Sequence, residues 1–539
     1  MSRDYEKLPR DIRPAKVDKT VYAVLLAAAV LVGGVLYYFT RESKASIKRW
    51  YDTQLPARIR PDYSGTVIPP NIAPLNFSIQ EDGVSYYVRV HSNKGPAIDV
   101  SSNSPKIVIG EKRWHKLLEA NRGGQVYFDV YVKTSEGRWN RFSSISNKIA
   151  NEDIDRYLVY RKIHPGHNLW RRMGIYQRSL ENFSESVVLD NEYYKRGCVN
   201  CHTFRANKPD KMLIGIRSAA YGSSAVLAAD GTVRKIGTKF GYTSWHPSGR
   251  LAAYSVNRVG QFFHTAGSEV RDVIDLNSLL AYFLVGSETV KTTENLSKKD
   301  RLETYPTWAP DGRYLYFCSA PLRWSETTEN VPEQYDEIRY DLLRISYDIG
   351  KDQWGELETV LSAEDTGLSI LEPRISPDGR WLLFCMCNYG CFPVYQKSSD
   401  LYLMDLQASQ ETGHYTYRRL EINSDQSDSW HSWSSNSRWI AFSSKRDYGK
   451  FTRVYISYVD EAGNVYKPII VPQRDPDYYD SCLKTFSVPE LVTGPVKTTG
   501  EELARVVRGS RKIEAAMPIT MATPTAGKPR GYRFWGERE

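Results

Sequence analysis

Four copies of one short unit constrain the fold of this 539-residue chain more than any other feature. They read Ser244-Trp-His-Pro-Ser-Gly-Arg-Leu-Ala-Ala-Tyr-Ser, Thr307-Trp-Ala-Pro-Asp-Gly-Arg-Tyr-Leu-Tyr-Phe-Cys, Arg374-Ile-Ser-Pro-Asp-Gly-Arg-Trp-Leu-Leu-Phe-Cys and Ser432-Trp-Ser-Ser-Asn-Ser-Arg-Trp-Ile-Ala-Phe-Ser. Each joins a bulky residue to a Pro-Asp-Gly type of turn and then to a β-rich run, as in a hairpin that feeds a buried strand. The bulky residue recurs at Trp245, Trp308, Ile375 and Trp433, with spacings of 63, 67 and 58 residues. A minimal four-stranded blade needs less, so insertions on one face are expected. The 37 Tyr, 13 Trp, 36 Gly and 27 Pro suit strands joined by many turns, and the length calls for more than one domain. The fold class expected is mainly β.

The repeated Trp/Ile-Ser/Ala-Pro-Asp-Gly-Arg element resembles the TolB-type β-propeller family over about Met212 to Asp475. The resemblance implies a propeller, taken as residues 212–480 with six blades favoured over five or seven, and a surface that binds partners. Residues 64–148 hold Leu75-Asn-Phe-Ser-Ile, Val84-Ser-Tyr-Tyr-Val-Arg-Val, Lys106-Ile-Val-Ile and Gln125-Val-Tyr-Phe-Asp-Val-Tyr-Val. Their period-two alternation reads as a small β-sandwich. With the Pro-rich stretch Ile68-Pro-Pro-Asn-Ile-Ala-Pro it resembles a fibronectin-type module, which implies a spacer or docking surface.

Cys198-Val-Asn-Cys201-His202 carries the chemistry. Two thiols add across the vinyl groups of a porphyrin while the adjacent His ligates the iron, which is the arrangement of a mono-haem c-type cytochrome. At this chain's residue frequencies about 0.0015 such motifs arise by chance. A zinc site would want a second ligand pair, which Cys318, Cys385, Cys387, Cys391 and Cys482 do not form, and a thioredoxin-like pair would want a βαβ frame. One covalent haem c is therefore expected, held by Cys198 and Cys201 with His202 as the proximal iron ligand. Residues 151–211 are taken as a short helical haem-binding segment, from the spacing in Ile154-Asp-Arg-Tyr-Leu-Val-Tyr and Leu169-Trp-Arg-Arg-Met-Gly-Ile-Tyr. Distal candidates are Met173 and Met212, then His167, with His164 a further imidazole. Core packing competes for both methionines, and exposure on a Pro-Gly turn competes for the histidines. Cys387 and Cys391 could close a short disulfide loop, Cys318 and Cys385 occupy equivalent strand places, and His246 and His431 read as structural hydrogen bonders.

Residues 21–40 are free of charge and long enough for one transmembrane helix, with Tyr22 and Tyr37-Tyr38-Phe39 at its ends. The bulky, charged stretch that follows disfavours a cleaved signal peptide. Six Lys/Arg in residues 1–20 are matched by six in 41–60, so charge gives no orientation. Haem attachment outside the bacterial cytoplasmic membrane does, and implies a cytoplasmic N-terminus (1–20) and a periplasmic bulk. Residues 481–539 are expected as a basic extension, since nine Lys/Arg against five Glu follow Val496. The net charge of +9 is spread against 63 acidic residues and marks no nucleic-acid site. The function expected is electron transfer within a membrane-associated redox complex, with partners docking on propeller and sandwich. The alternatives are a binding scaffold with a structural or sensory haem, and a peroxidase-like enzyme with an open haem position.

Overall fold

The computed structural model describes residues 47, 49–164, 172–264, 269, 271–325, 327–328 and 330–514. Among these no helix is long and apolar enough to cross a membrane, and the expected anchor at 21–40 lies outside them. The architecture is mainly β, and six of its eight sheets are four-stranded and antiparallel.

Those six form a ring. Blade 1 is Tyr157–Ile163, Gly174–Ser179 and Glu185–Asp190, completed by Thr485–Val492 from the far end of the chain. Blade 2 begins with Cys198–Arg205, blade 3 with Thr243–Trp245, blade 4 with Arg301–Trp308, blade 5 with Ser369–Ile375 and blade 6 with Asp428–Trp433. Each of these first strands touches the first strand of the next blade, and Thr485–Val492 touches those of blades 6 and 2. The ring therefore has six inner strands, and its closure pairs Tyr157–Ile163 with Thr485–Val492.

Apolar faces between blades supply the cohesion. Leu213, Leu227, Tyr254 and Phe283 fill the gap between blades 2 and 3, while Tyr282, Trp308 and Phe317 close around the small side chain of Ala253 between blades 3 and 4. At about 25 cal/mol per Å², each of the large side chains contributes on the order of 2 kcal/mol, so the blades depend on one another for their buried faces. The repeated turn needs a left-handed residue, which is Gly312 (φ 74°) in blade 4, Gly379 (φ 79°) in blade 5 and Ser437 (φ 61°) in blade 6.

Three expectations are corrected here. The described residues of the segment 151–211 form strands and one 3-10 turn, Asn191–Tyr194, in place of the expected helices. Ile154-Asp-Arg-Tyr-Leu-Val-Tyr runs into the strand Tyr157–Ile163 and Met173-Gly-Ile-Tyr into Gly174–Ser179, while residues 165–171 lie outside the described residues. These apolar residues are buried on both faces of a blade, which removes the alternation that marks a strand. The ring also reaches outside 212–480, since Cys198–Arg205, which carries the Cys-x-x-Cys-His motif, is itself an inner strand of blade 2. Nor is 481–514 a loose extension, because Thr485–Val492 closes the ring and helix Gly500–Arg508 packs Leu503, Ala504 and Val507 on blades 1 and 2. That helix starts with a capping box in which Thr499 and Glu502 bond each other's backbone.

Ahead of the ring, a seven-stranded and a three-stranded sheet form the N-terminal module, with helix Glu111–Ala120 added and Trp114 buried beneath it. It rests on blade 6: Asn76 Nδ2 donates to the Arg474 carbonyl at 3.0 Å and Ser78 Oγ to Asp477 at 2.6 Å, and Arg178 reaches across to Gln473 at 2.6 Å.

Candidate functional site: a plugged central channel

Every inner strand presents one side chain to the channel three residues before its bulky anchor. Reading back from Phe204, Trp245, Trp308, Ile375, Trp433 and Leu491 gives Cys201, Tyr242, Tyr305, Glu372, Trp430 and Val488. A register shift in five of these strands marks a bulge at this point, which turns the side chain inward. Tyr305, Glu372, Trp430 and Val488 consequently take left-handed backbone, with φ between 48° and 54°.

Three of these residues stop the channel. Tyr242 stacks on Tyr305 with ring centroids 4.0 Å apart, and Trp430 meets them at 5.6 and 6.1 Å. Trp430 borders both of the cavities so separated.

The upper cavity, about 1350 Å³ including its open mouth, is lined by Cys198, Cys201 and Met173. Its wall is cationic: among the described residues Arg161, Arg217, Lys239, Arg271, Lys445 and Lys450 face it, against the single carboxylate of Glu269, which pairs with Lys445. Burial, with Arg217 beside it, lowers Lys239 to about 8, and burial with Arg161 nearby lowers Arg271 to about 10. Arg217 lies 3.6 Å from Cys198 Sγ. Burial raises the Cys201 thiol to about 11, an effect that the nearby Arg161 opposes, so the thiol stays protonated at neutral pH.

The predicted ligands divide. Met173 packs with Ile163 and Cys198 at the cavity wall, whereas Met212 is buried between blades 1 and 2, where it pairs with Phe204 and does not line the cavity. His202 lies behind the strand, 3% exposed and edge-on to Phe204, and is not part of the cavity wall. Neither of its ring nitrogens has a hydrogen-bond partner among the described residues. Burial and then the Arg161 charge lower it to about 3, which the nearby Val159 backbone only partly counters, so the imidazole is neutral. His164 accepts from Lys484 Nζ at 2.9 Å, and His167 lies outside the described residues. Cys387 and Cys391 remain separate thiols: Cys387 donates to the Tyr389 carbonyl at 3.3 Å and Cys391 turns to Asp275.

The lower cavity, about 1510 Å³ including its mouth, differs in kind. Its wall carries Glu372 and Glu490, and burial raises each to about 7 against the backbone N–H donors of Trp430 and Phe204. Sequence reasoning missed both carboxylates. Their place was readable, since Glu372 stands three residues before Ile375 in the repeat, but strand closure by Glu490's segment is not visible in any local pattern.

No family model matches the chain, and no curated protein does. Among solved structures, a puromycin hydrolase aligns with 59% of this chain at 17% identity and a TM-score of 0.33. The chain spans just under half of that protein, 45% of its length. The Niastella koreensis GH74 enzyme aligns with 57% of this chain and 46% of its own (11% identity, TM-score 0.36). The β-propeller domain of the Trilobed protease from Pyrococcus furiosus aligns with 62% and 80% (11% identity, TM-score 0.30). With likenesses this distant, the ring of six sheets rests on the strand pairing itself.

Proposed function

We propose that this chain is a membrane-anchored, periplasm-facing mono-haem c-type cytochrome, whose TolB-like propeller holds the haem in its upper cavity and passes single electrons to a membrane-associated redox partner. The observation that carries this reading is that both thiols of the Cys-x-x-Cys-His motif line one cavity, and that this cavity is walled by six cations against one carboxylate. Two of the three motif donors fit a covalent haem there: Cys198 and Cys201 would supply the two thioether positions and the cations would suit two propionates, while His202 does not face the cavity. A bound haem would supply one-electron iron chemistry.

The chain's own residues have defined tasks in this reading. Arg217, Lys239 and Arg271 hold and screen the propionate charge, and the Tyr242–Tyr305–Trp430 plug keeps water from the lower side. Met173 offers a thioether at the wall. His202 is neutral, the state a metal ligand requires, but its ring must turn from behind the strand to reach the cavity. A binding protein with a sensory haem is the second reading, favoured by the burial of both thiols.

In cells competent in cytochrome maturation, the full-length protein is expected to give a haem-staining band on a denaturing gel at 61.7 kDa. A colourless band overturns the proposal. A six-coordinate low-spin spectrum favours electron transfer, and an open high-spin haem favours sensing or peroxidase-like chemistry. Protease added outside spheroplasts should digest the propeller and spare the first twenty residues; protection of the propeller reverses the topology.

A further inference from the structure

We propose that Glu372, Cys385 and His431 form a site for a divalent cation of the zinc type beneath the aromatic plug. Glu372 stands on the inner strand of blade 5, Cys385 on the next strand of that blade and His431 on the inner strand of blade 6. One ligand atom from each lies within 4.8 Å of the others. Cys385 Sγ is 3.5 Å from Glu372 Oε2 and 3.6 Å from His431 Nδ1. A tetrahedral zinc with bonds of about 2.3 Å to sulfur and about 2.0–2.1 Å to nitrogen or oxygen holds such donors roughly 3.5–3.6 Å apart. Both sulfur edges of the tetrahedron are therefore already in place.

The tautomer is set as well. His431 Nε2 lies 3.0 Å from the Leu383 carbonyl, which accepts the ring proton and leaves the Nδ1 lone pair directed at the sulfur. Lone pairs converge on the thiol from Glu372 Oε2, which also accepts the Trp430 N–H at 2.6 Å, from His431 Nδ1, and from the Asp428 carbonyl at 3.7 Å, which also accepts from Ser399 Oγ at 2.9 Å. Glu372 Oε1 is also buried and has no partner among the described residues. Such an unmet buried oxygen calls for a bound proton or a cation, and a cation shared with the thiolate and the imidazole meets it. Glu372 and His431 both border the lower cavity, which gives the ion a route from solvent and leaves a fourth position for water. On binding, the Cys385 proton passes to solvent and the thiolate bonds the metal.

The site is independent of the haem, and the test keeps them apart by counting zinc and iron separately. Full-length protein, stripped with a chelator and titrated with Zn²⁺, is expected to take up about one zinc per chain whatever its iron content, with a rise in Tm. Cys385→Ser and His431→Gln should weaken binding by at least about tenfold. Cd²⁺ should produce an ultraviolet thiolate-to-metal band that Cys385→Ser removes. Should Cys385→Ser fail to fold, Glu372→Gln, which keeps an acceptor for the Trp430 N–H, should still weaken zinc binding. Zinc uptake below about one-tenth per chain, or stoichiometric uptake unchanged by all three substitutions, overturns the proposal in favour of a hydrogen-bonded thiol.

Discussion

The cavities above and below the aromatic plug differ in what builds them and in their charge: all six inner strands line the lower one, which sets Lys208 and Arg374 beside Glu372 and Glu490. No residue of the inner strands of blades 4 and 5 lines the upper one, where six cations face one carboxylate among the described residues. Above the plug, burial and then a neighbouring cation lower Lys239 and Arg271, and the described cations have a single carboxylate between them. Below it, Glu372 and Glu490 are held partly protonated by burial. Below the plug the walls differ by which residue each inner-strand bulge turns inward, whereas the cations above it stand on other strands of the blades and on loops. A propeller of this kind offers six equivalent places, and its chemistry is decided one side chain at a time.

The largest effect is expected from Cys198→Ser with Cys201→Ser, which should abolish covalent haem altogether, read by haem staining. Zinc uptake below the plug should be unchanged; a joint loss would mean that the two cavities are one site. Trp430→Ala removes the side chain common to both cavities and should lower stability by about 3 kcal/mol in denaturant unfolding. A change well below about 1 kcal/mol would mean that the plug repacks readily.

The pH dependence separates the two sides by sign. Glu490 rises from 4.5 to about 7 on folding, so its contribution is complete below pH 4.5 and lost as pH climbs through 7. Glu490→Gln should flatten that decline, by up to about 3 kcal/mol between pH 5 and 8. Lys239 falls from 10.5 to about 8, so the folded state binds fewer protons than the unfolded chain and stability from this group rises between pH 8 and 10.5. Lys239→Met should remove that rise, an effect of about 1–2 kcal/mol because the side chain stays half-buried. Slopes of the same sign in both variants would break the contrast.

What could be read in the sequence depended on how local the cause was. The turn at Pro310-Asp311-Gly312 and its copies is set by a few adjacent residues, and the strands Ser85–His91 and Gln125–Lys133 show their alternation within one stretch. Tyr157–Ile163 and Gly174–Ser179 were misread because strands covered on both faces lose that alternation. Thr485–Val492 was hidden because its partner strand lies more than 300 residues earlier. For the site, the pair Cys198 and Cys201 was legible from spacing alone, whereas the cations around them come from blades 1, 2, 3 and 6 and no spacing connects them. The grouping of Glu372, Cys385 and His431 is of the same kind: each looked like ordinary strand packing, and only the approach of blades 5 and 6 brings them together.

The strand that closes the ring also sets a schedule. Thr485 and Ser487 form part of the wall around Cys198 and Cys201, and they are made almost 300 residues after those cysteines. During synthesis from the N-terminus the two thiols thus emerge into a ring with one wall missing, reachable by any enzyme that modifies them. Arrival of the last strand adds that wall, so under the haem proposal the order of residues along the chain would set when the thiols are most open to modification.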